Sequence, residues 1–329
     1  MKDAISRRRF GIGLCAASTA VIAGAGMPSR AQDWPSRPIR IIESFPAGVA
    51  RDPLTRVLAD RLSKVLGQQV IVENRPGGAG RIAGAAAAQS APDGYTFWMA
   101  GIGDLVTAKY LYKLPYDTDR DFVPVVMFLQ APTSLVVRQS LPVKSLAELI
   151  SYAKQNPGEL SYGSTGMGQF LHLNGLLFAS MSGISLKHVP YAQGSPFNDL
   201  LGGHIDMVLD TLTPTLEDIK AGLLRALAVT GQHRLAVLPD VPTFAEAGLR
   251  GFDPQGGGGL LAPKGTPAPI VLRLQQAVDQ VLEASDLHQR WEALGFALPG
   301  GTSADFSAWV RLQDSKWSKV IRDNNLRIE

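Results

Sequence analysis

The chain is poor in the residues that carry covalent and metal chemistry. Among 329 residues there is one cysteine, Cys15, and only five histidines: His172, His188, His204, His233 and His288. The histidines show neither an HExxH pairing nor close ligand spacing, so they read as surface or core residues rather than a metal centre. No Walker A sequence occurs. The segment YGSTG at 162–166 lacks the first glycine of a nucleophile elbow, so Ser164 reads as a turn residue and not as an acyl-transfer nucleophile. Charged residues make up 19% of the chain and aromatics 7%, against 45% hydrophobic, the balance of an ordinary globular protein long enough for two domains. No internal repeat or low-complexity tract is visible.

Long hydrophobic runs are also missing. The nearest, 11–26, is too short and too glycine-rich to span a bilayer. It follows SRRRF at 6–10, in which Arg7 and Arg8 precede Phe10, and small residues at Ser29 and Ala31 follow it. This is the pattern of a twin-arginine export signal over 1–31, cut after Ala31. Bulky Leu14 before Cys15 argues against lipoprotein processing. Residues 1–31 hold five of the 32 basic residues and one of the 29 acidic ones, which leaves 27 against 28 and a net charge of −1. The basic pI therefore belongs to the signal, and with it goes the case for nucleic acid or an anionic membrane as partner. Cys15 leaves too, which excludes disulfides, thiol catalysis and thiolate metal sites.

What is present is a series of glycine-rich turns between strands and helices. The first, within PIRIIESFPAGVARDPLTRVL (38–58), organises the rest. Ile39, Ile41 and Ile42 suit a buried strand, Phe45 to Gly48 break it, and Asp52 before Pro53 reads as the N-cap of a helix. A strand, glycine turn and helix in this order present backbone N–H groups and a helix dipole to an anion. Strand and helix then alternate, with further turns at 77–80, 101–104, 164–168, 191–195 and 210–214, the pattern of a parallel sheet with crossover helices. Two apolar runs meeting at Ala131 and Pro132 read as a strand that passes from one domain to the next. Ser145 with Glu148, and Thr243 with Glu246, read as capping boxes. The domains expected are therefore 32–131 with 232–329 as one lobe and 132–231 as the other.

One enzyme reading competes. Gly78, Gly80 and Ala83 fit G-x-G-x-x-A after a strand, with Asp104 where a ribose-binding acid would sit, as in an exported NAD(P)-dependent oxidoreductase. Against it, the match falls on the second strand-helix turn, Pro76 stiffens that turn, and no catalytic constellation accompanies it. Ligand-binding turns without catalytic groups fit a binding protein better.

The segments RIIESFPAGVARD, VIVENRPGGAGRIA, APDGYTF, LPYDTDRDFVPV, LSYGSTGMG, HVPYAQGSP, LLGGHIDMV, AGLLRALAVT, LPDVPTFAEAG and LAPKGTPAPIV carry a resemblance. In this order they resemble the Bug-type extracytoplasmic solute receptors, the binding component of tripartite tricarboxylate transporters. The resemblance implies a type II periplasmic-binding-protein fold, α/β, with two lobes joined by a two-crossing hinge. It further implies a non-catalytic, cofactor-free periplasmic monomer that closes on a small organic carboxylate and passes it to large and small membrane components. It makes ENRPGGAG a structural hallmark rather than a nucleotide site. In such receptors the turns here spanning Phe45 to Asp52 and Ser164 to Gln169 grip one carboxylate from opposite lobes. This carries over to Phe45, Ala47, Gly48, Val49, Ser164, Thr165, Gly166 and Gln169, with Gly101, Asp104, Tyr191 and Asp210 as further pocket positions. Asp52 remains a helix cap near the site, and Arg51 a candidate partner for a second carboxylate. Val49 stands where the family has a second glycine, Gln169 where serine is common, and Gln255 with Gly256 where tryptophan is frequent, so the variable end of the ligand meets a differently shaped pocket.

Overall fold

The computed structural model describes residues 34–48, 51–191 and 195–328. The export signal and Val49 lie outside the described residues. Strand β1 (Ile39–Glu43) buries all but Arg40, as its β-branched residues require. Helix α1 (Asp52–Leu66) follows and stops at Gly67, which turns left-handed at φ 68°. Strand β2 (Val70–Asn74), helix α2 (Arg81–Ala88) and strand β3 (Thr96–Gly101) complete the alternation, and β1 lies parallel to both neighbours. A π-helical turn, Ile102–Thr107, leads into the short α3 (Ala108–Leu111).

The rhythm then changes, and the sheet is mixed rather than purely parallel. Strand β4 (Phe122–Arg138) runs 17 residues straight through Pro132. It is followed by α4 (Leu146–Gln155), β5 (Ser161–Ser164), α5 (Phe170–Ser182), β6 (Lys187–Pro190), α6 (Phe197–Leu201), β7 (Met207–Thr211), α7 (Leu216–Lys220) and β8 (Leu224–Val229). Strand β9 (Gln255–Pro263) and helices α8 (Ala268–Leu282), α9 (Ser285–Glu292) and α10 (Ser303–Asp323) complete the chain. The order across the sheet is β2-β1-β3-β9-β4-β7-β5-β6, with β8 also against β4. Up to Pro132, β4 pairs antiparallel with β9, and from Thr133 onward it pairs antiparallel with β7 and β8. One strand thus belongs to both halves. The four glycines of β9 permit its central place: a Cβ on Gly258 would stand 2.1 Å from the Ala100 carbonyl oxygen of β3.

Each half has its own apolar core. In the first, Ile39, Phe97 and Val278 pack on one sheet face and Trp98, Phe306 and Trp317 on the other. In the second, Leu135, Phe178 and Leu209 pack with Phe244 and Phe252, so the segment around 244–252 sits with the second half rather than returning at 232. Its two phenylalanines find an apolar face there, with Phe244 4.4 Å from Phe252 between ring centroids. Thr243 and Glu246 form the reciprocal box, with Glu246 N–H to Thr243 Oγ1 at 3.1 Å and Thr243 N–H to Glu246 Oε2 at 2.8 Å, yet it closes a turn and not a helix. Ser145 caps α4 by accepting the Glu148 N–H. The halves also meet where Phe170 of α5 packs edge-on against Trp317 of α10 at 5.9 Å and where Thr213 Oγ1 donates to the Leu294 carbonyl at 2.8 Å. Among the described residues no helix is long and apolar enough to cross a membrane, and no cluster of acidic, His or Cys side chains could hold a metal.

Candidate functional site

The first corner starts where β1 ends. Ser44 is fixed by the Trp98 indole N–H at 3.1 Å, and Phe45, Pro46, Ala47 and Gly48 then emerge into solvent. Gly48 adopts φ 78°, which an L residue resists, and a Cβ there would meet no protein atom within 4 Å. Its N–H donates to Asp52 Oδ2 at 2.7 Å. Asp52 is therefore not the N-cap: Arg51 holds that position, Asp52 opens the helix, and its buried carboxylate folds back onto the turn. It accepts Arg56 Nε at 2.9 Å and Asn74 Nδ2 at 2.6 Å as well. Burial raises its pKa, but these hydrogen bonds outweigh burial and hold it below the usual range.

Beneath that turn lies a buried ion cluster that joins it to the next one. Arg51 Nε meets Glu43 Oε1 at 3.0 Å, and its Nη2 meets both Asp104 Oδ2 at 3.1 Å and the Met99 carbonyl at 2.7 Å. Thr55 donates to Glu43 at 2.8 Å, and Gly101 N–H donates to Asp104 Oδ1 at 2.6 Å. The Arg51 side chain is only 10% exposed, and it covers the Phe45 ring at 4.9 Å. Burial pushes the Glu43 carboxyl above its ordinary value, against the pull of Arg51 and Thr55. Arg51, a candidate partner for a ligand carboxylate, thus spends Nε and Nη2 on the protein's own acids. Asp104 braces Gly101 and Arg51. It also packs against the 77–80 turn, where a Cβ on Gly80 would stand 2.3 Å from Asp104 Cβ, so its carboxylate is engaged by Arg51 and Gly101 rather than presented to a ribose.

The second corner starts where β5 ends. Ser164 is fully buried; its Oγ lies 2.6 Å from His188 Nε2 and accepts the Gly166 N–H at 3.1 Å. Thr165 stands exposed at the tip, Gly166 adopts φ 129°, and Gln169 occupies the cap position of α5 without a side-chain cap bond. Tyr191 joins this corner by donating its N–H to the Ser164 carbonyl at 2.8 Å, while its hydroxyl goes to Asp199 at 2.6 Å. Below sits a stack that sequence reasoning did not assemble: the His172 and His188 rings are 4.1 Å apart, with Tyr162 against both. No carboxylate bonds His188 among the described residues, so its contact with Ser164 is not a catalytic triad.

His172 Nδ1 accepts the Gly168 N–H at 2.9 Å and so must stay unprotonated there. Burial, with His188 beside it, lowers its pKa from the ordinary 6.5 to about 4. A base depressed in the fold binds fewer protons than the unfolded chain, so this group destabilises the protein as pH falls from about 6.5 towards 4, by up to about 3 kcal/mol. Urea unfolding midpoints measured against pH should fall over that window. In His172→Gln they should fall less.

Asp210, last of the expected positions, lies near the end of β7, half-buried, with Thr211 N–H on its Oδ1 at 2.6 Å. The structure brings Phe45, Gly101 and Asp104 around Arg51, and Ser164, Gly166 and Tyr191 around one corner. Glu43, His172 and His188 were not singled out. Glu43 left one signal, a charge closing an otherwise apolar strand run.

A family model described as "Tripartite tricarboxylate transporter family receptor" matches residues 54–326. A protein of the tcbD-tcbE intergenic region of Pseudomonas sp. (strain P51) is 37% identical over 324 residues, 98% of this chain and 96% of its own. Among solved structures, R. palustris Rpa4515 with adipate is 36% identical with a TM-score of 0.79, covering 88% of this chain and 98% of its own. MatC from Rhodopseudomonas palustris with bound malate is 31% identical with a TM-score of 0.76, covering 88% and 100%. The chain belongs to the tripartite tricarboxylate transporter receptor family, the Bug-type solute-binding proteins, and it has their α/β periplasmic-binding fold.

Proposed function

We propose that the protein is an exported, non-catalytic receptor that captures a small organic carboxylate between two lobes in the periplasm and delivers it to the large and small membrane components of a tripartite carrier. The lobes are the β1-β2-β3-β9 half and the β5-β6-β7-β8 half, joined by β4 and by the return into β9. Residues 1–31 serve as the twin-arginine signal. The ligand carboxylate is held by the turn at Phe45, Ala47, Gly48 and Val49 from one lobe and by Ser164, Thr165, Gly166 and Gln169 from the other. Gly101, Asp104 and Tyr191 shape the pocket from beneath, and Asp210 lies at its edge.

The observation that carries this reading is the pair of corners themselves. Two strand-turn-helix corners, one in each half, place a glycine turn at the carboxyl end of a parallel strand, where α/β folds bind ligands. Buried side chains hold both turns in shape, Asp52 by accepting the Gly48 N–H and Ser164 by accepting the Gly166 N–H. Micromolar affinity, about −8 kcal/mol, is within reach of several polar donors in a closed cleft. Receptors of this family have been solved with adipate and malate, so dicarboxylates of that size are the first probes. A thermal-shift screen of mono-, di- and tricarboxylates and aromatic acids tests the reading, because a ligand that binds only the folded state raises the Tm. At least one acid should shift it by several degrees. No shift across the panel would refute a carboxylate receptor.

A further inference from the structure

Asp210 is a carboxyl group with no cation beside it among the described residues. It lies on β7, which runs parallel to β5 through the Tyr162 and Met207 pair, so Asp210 and Ser164 reach the same edge of the sheet. Asp210 also pairs with Ser134 of β4, just past the point where that strand changes halves, and Ser134 Oγ donates to the Asp210 carbonyl at 3.1 Å. The γ-methyl of its neighbour Thr211 lies 3.2 Å from where a Cβ on Gly256 would sit, against the start of β9. The residue therefore stands at the hinge, beside the second anion-binding turn, with part of its surface open.

Among the described residues, the elements packed on β7 place no cation against it. β4 brings Thr133 and Ser134, β5 brings Tyr162 and Ser164, and β9 begins with Gln255 and Gly256. The α5 face carries His172 and Asn174, of which His172 stacks on His188 and Asn174 Nδ2 donates to the Leu209 carbonyl at 3.1 Å. On α6, Asp199 is held by the Tyr191 hydroxyl. Among the described residues no charged group acts on Asp210; burial raises its pKa to about 7, opposed only by hydrogen bonds from Thr211. A half-buried carboxylate with no cation is costly, and bringing a ligand anion beside it is costlier still. Taking up a proton removes both penalties and creates a donor for a strong, charge-assisted O–H···O bond.

We propose that Asp210 contacts the captured ligand as the neutral acid, donating its O–H to a ligand carboxylate oxygen, so that capture takes up one proton from solvent. The proposal rests on the receptor reading above and adds a pH-sensing, ligand-contacting residue to it. The sign follows from the group's position. Below pH 7 Asp210 is already protonated and binding is insensitive to this group. Above pH 7 the anion must draw a proton in, and affinity falls about tenfold per pH unit. The window from pH 7 to 9 lies above the range where the two lowered imidazoles titrate.

Calorimetric titration of the full mature chain with adipate and with malate, from pH 6 to 9, tests this. In buffers of different ionisation enthalpy at pH 8 the heats should report uptake of close to one proton, and Kd should weaken about tenfold per unit above pH 7. Asp210→Asn cannot titrate, so its affinity should be flat over the range. A flat wild-type profile, or an unchanged slope in Asp210→Asn, would overturn the assignment. So would an affinity that rises with pH, which would mean an ionised Asp210. Binding of neither acid at any pH would strike the receptor reading first; binding without proton uptake would strike only Asp210.

Discussion

Arg51→Ala is expected to destabilise the protein by about 3–5 kcal/mol, the cost of leaving buried acids without their cation. Arg51 contacts Glu43 at 3.0 Å and Asp104 at 3.1 Å, and both side chains are almost wholly buried, at 0% and 6% exposure. Removing the guanidinium leaves two carboxylates facing each other at the end of β1 and in the turn after β3, beneath the Phe45–Gly48 turn. Adding Glu43→Gln to the Arg51→Ala chain removes one of those charges and should recover part of the loss. Urea denaturation of the three proteins measures this. A loss under 1 kcal/mol for the single variant would show that the cluster does not hold the two turns together.

Gly48→Leu should abolish carboxylate binding, with a loss of at least about 100-fold or 2.7 kcal/mol, while the fold persists. Two features separate these effects. The backbone at φ 78° makes an L residue strained by about 1–2 kcal/mol, which a domain of this size tolerates. A Cβ at this position meets no protein atom within 4 Å, so the new side chain enters the open space above the turn, where the proposed site lies. Calorimetry with the best acid from the screen, alongside circular dichroism, reads both. Unchanged affinity in a folded variant would move the site away from this corner.

Much of this architecture was legible in local sequence. Ile39, Ile41 and Ile42 announced β1, Ser145 announced α4, and the two apolar runs meeting at Pro132 announced the strand that serves both halves. What depends on contacts far along the chain was not legible. Nothing local shows that β9 inserts antiparallel between β3 and β4, because its four glycines read equally well as a loop. Phe244 and Phe252 joined the second core, not the first, through an apolar face built by Leu135, Phe178 and Leu209 from three different elements. Asp52 looked like a cap because Pro53 follows it, whereas its partners Asn74 and Gly48 lie elsewhere in sequence. Arg51 looked like a partner for a ligand carboxylate for the same reason: the acids that bury it, Glu43 and Asp104, come from the end of β1 and the turn after β3.

The central claim is that two glycine turns from opposite halves hold one organic anion. Isothermal titration of the mature chain with adipate at pH 6.5 tests it most directly. The account predicts saturable binding of one acid per chain with micromolar Kd, lost in Gly48→Leu. No heat with adipate, malate or any acid of the screen, from a chain shown to be folded, would contradict it.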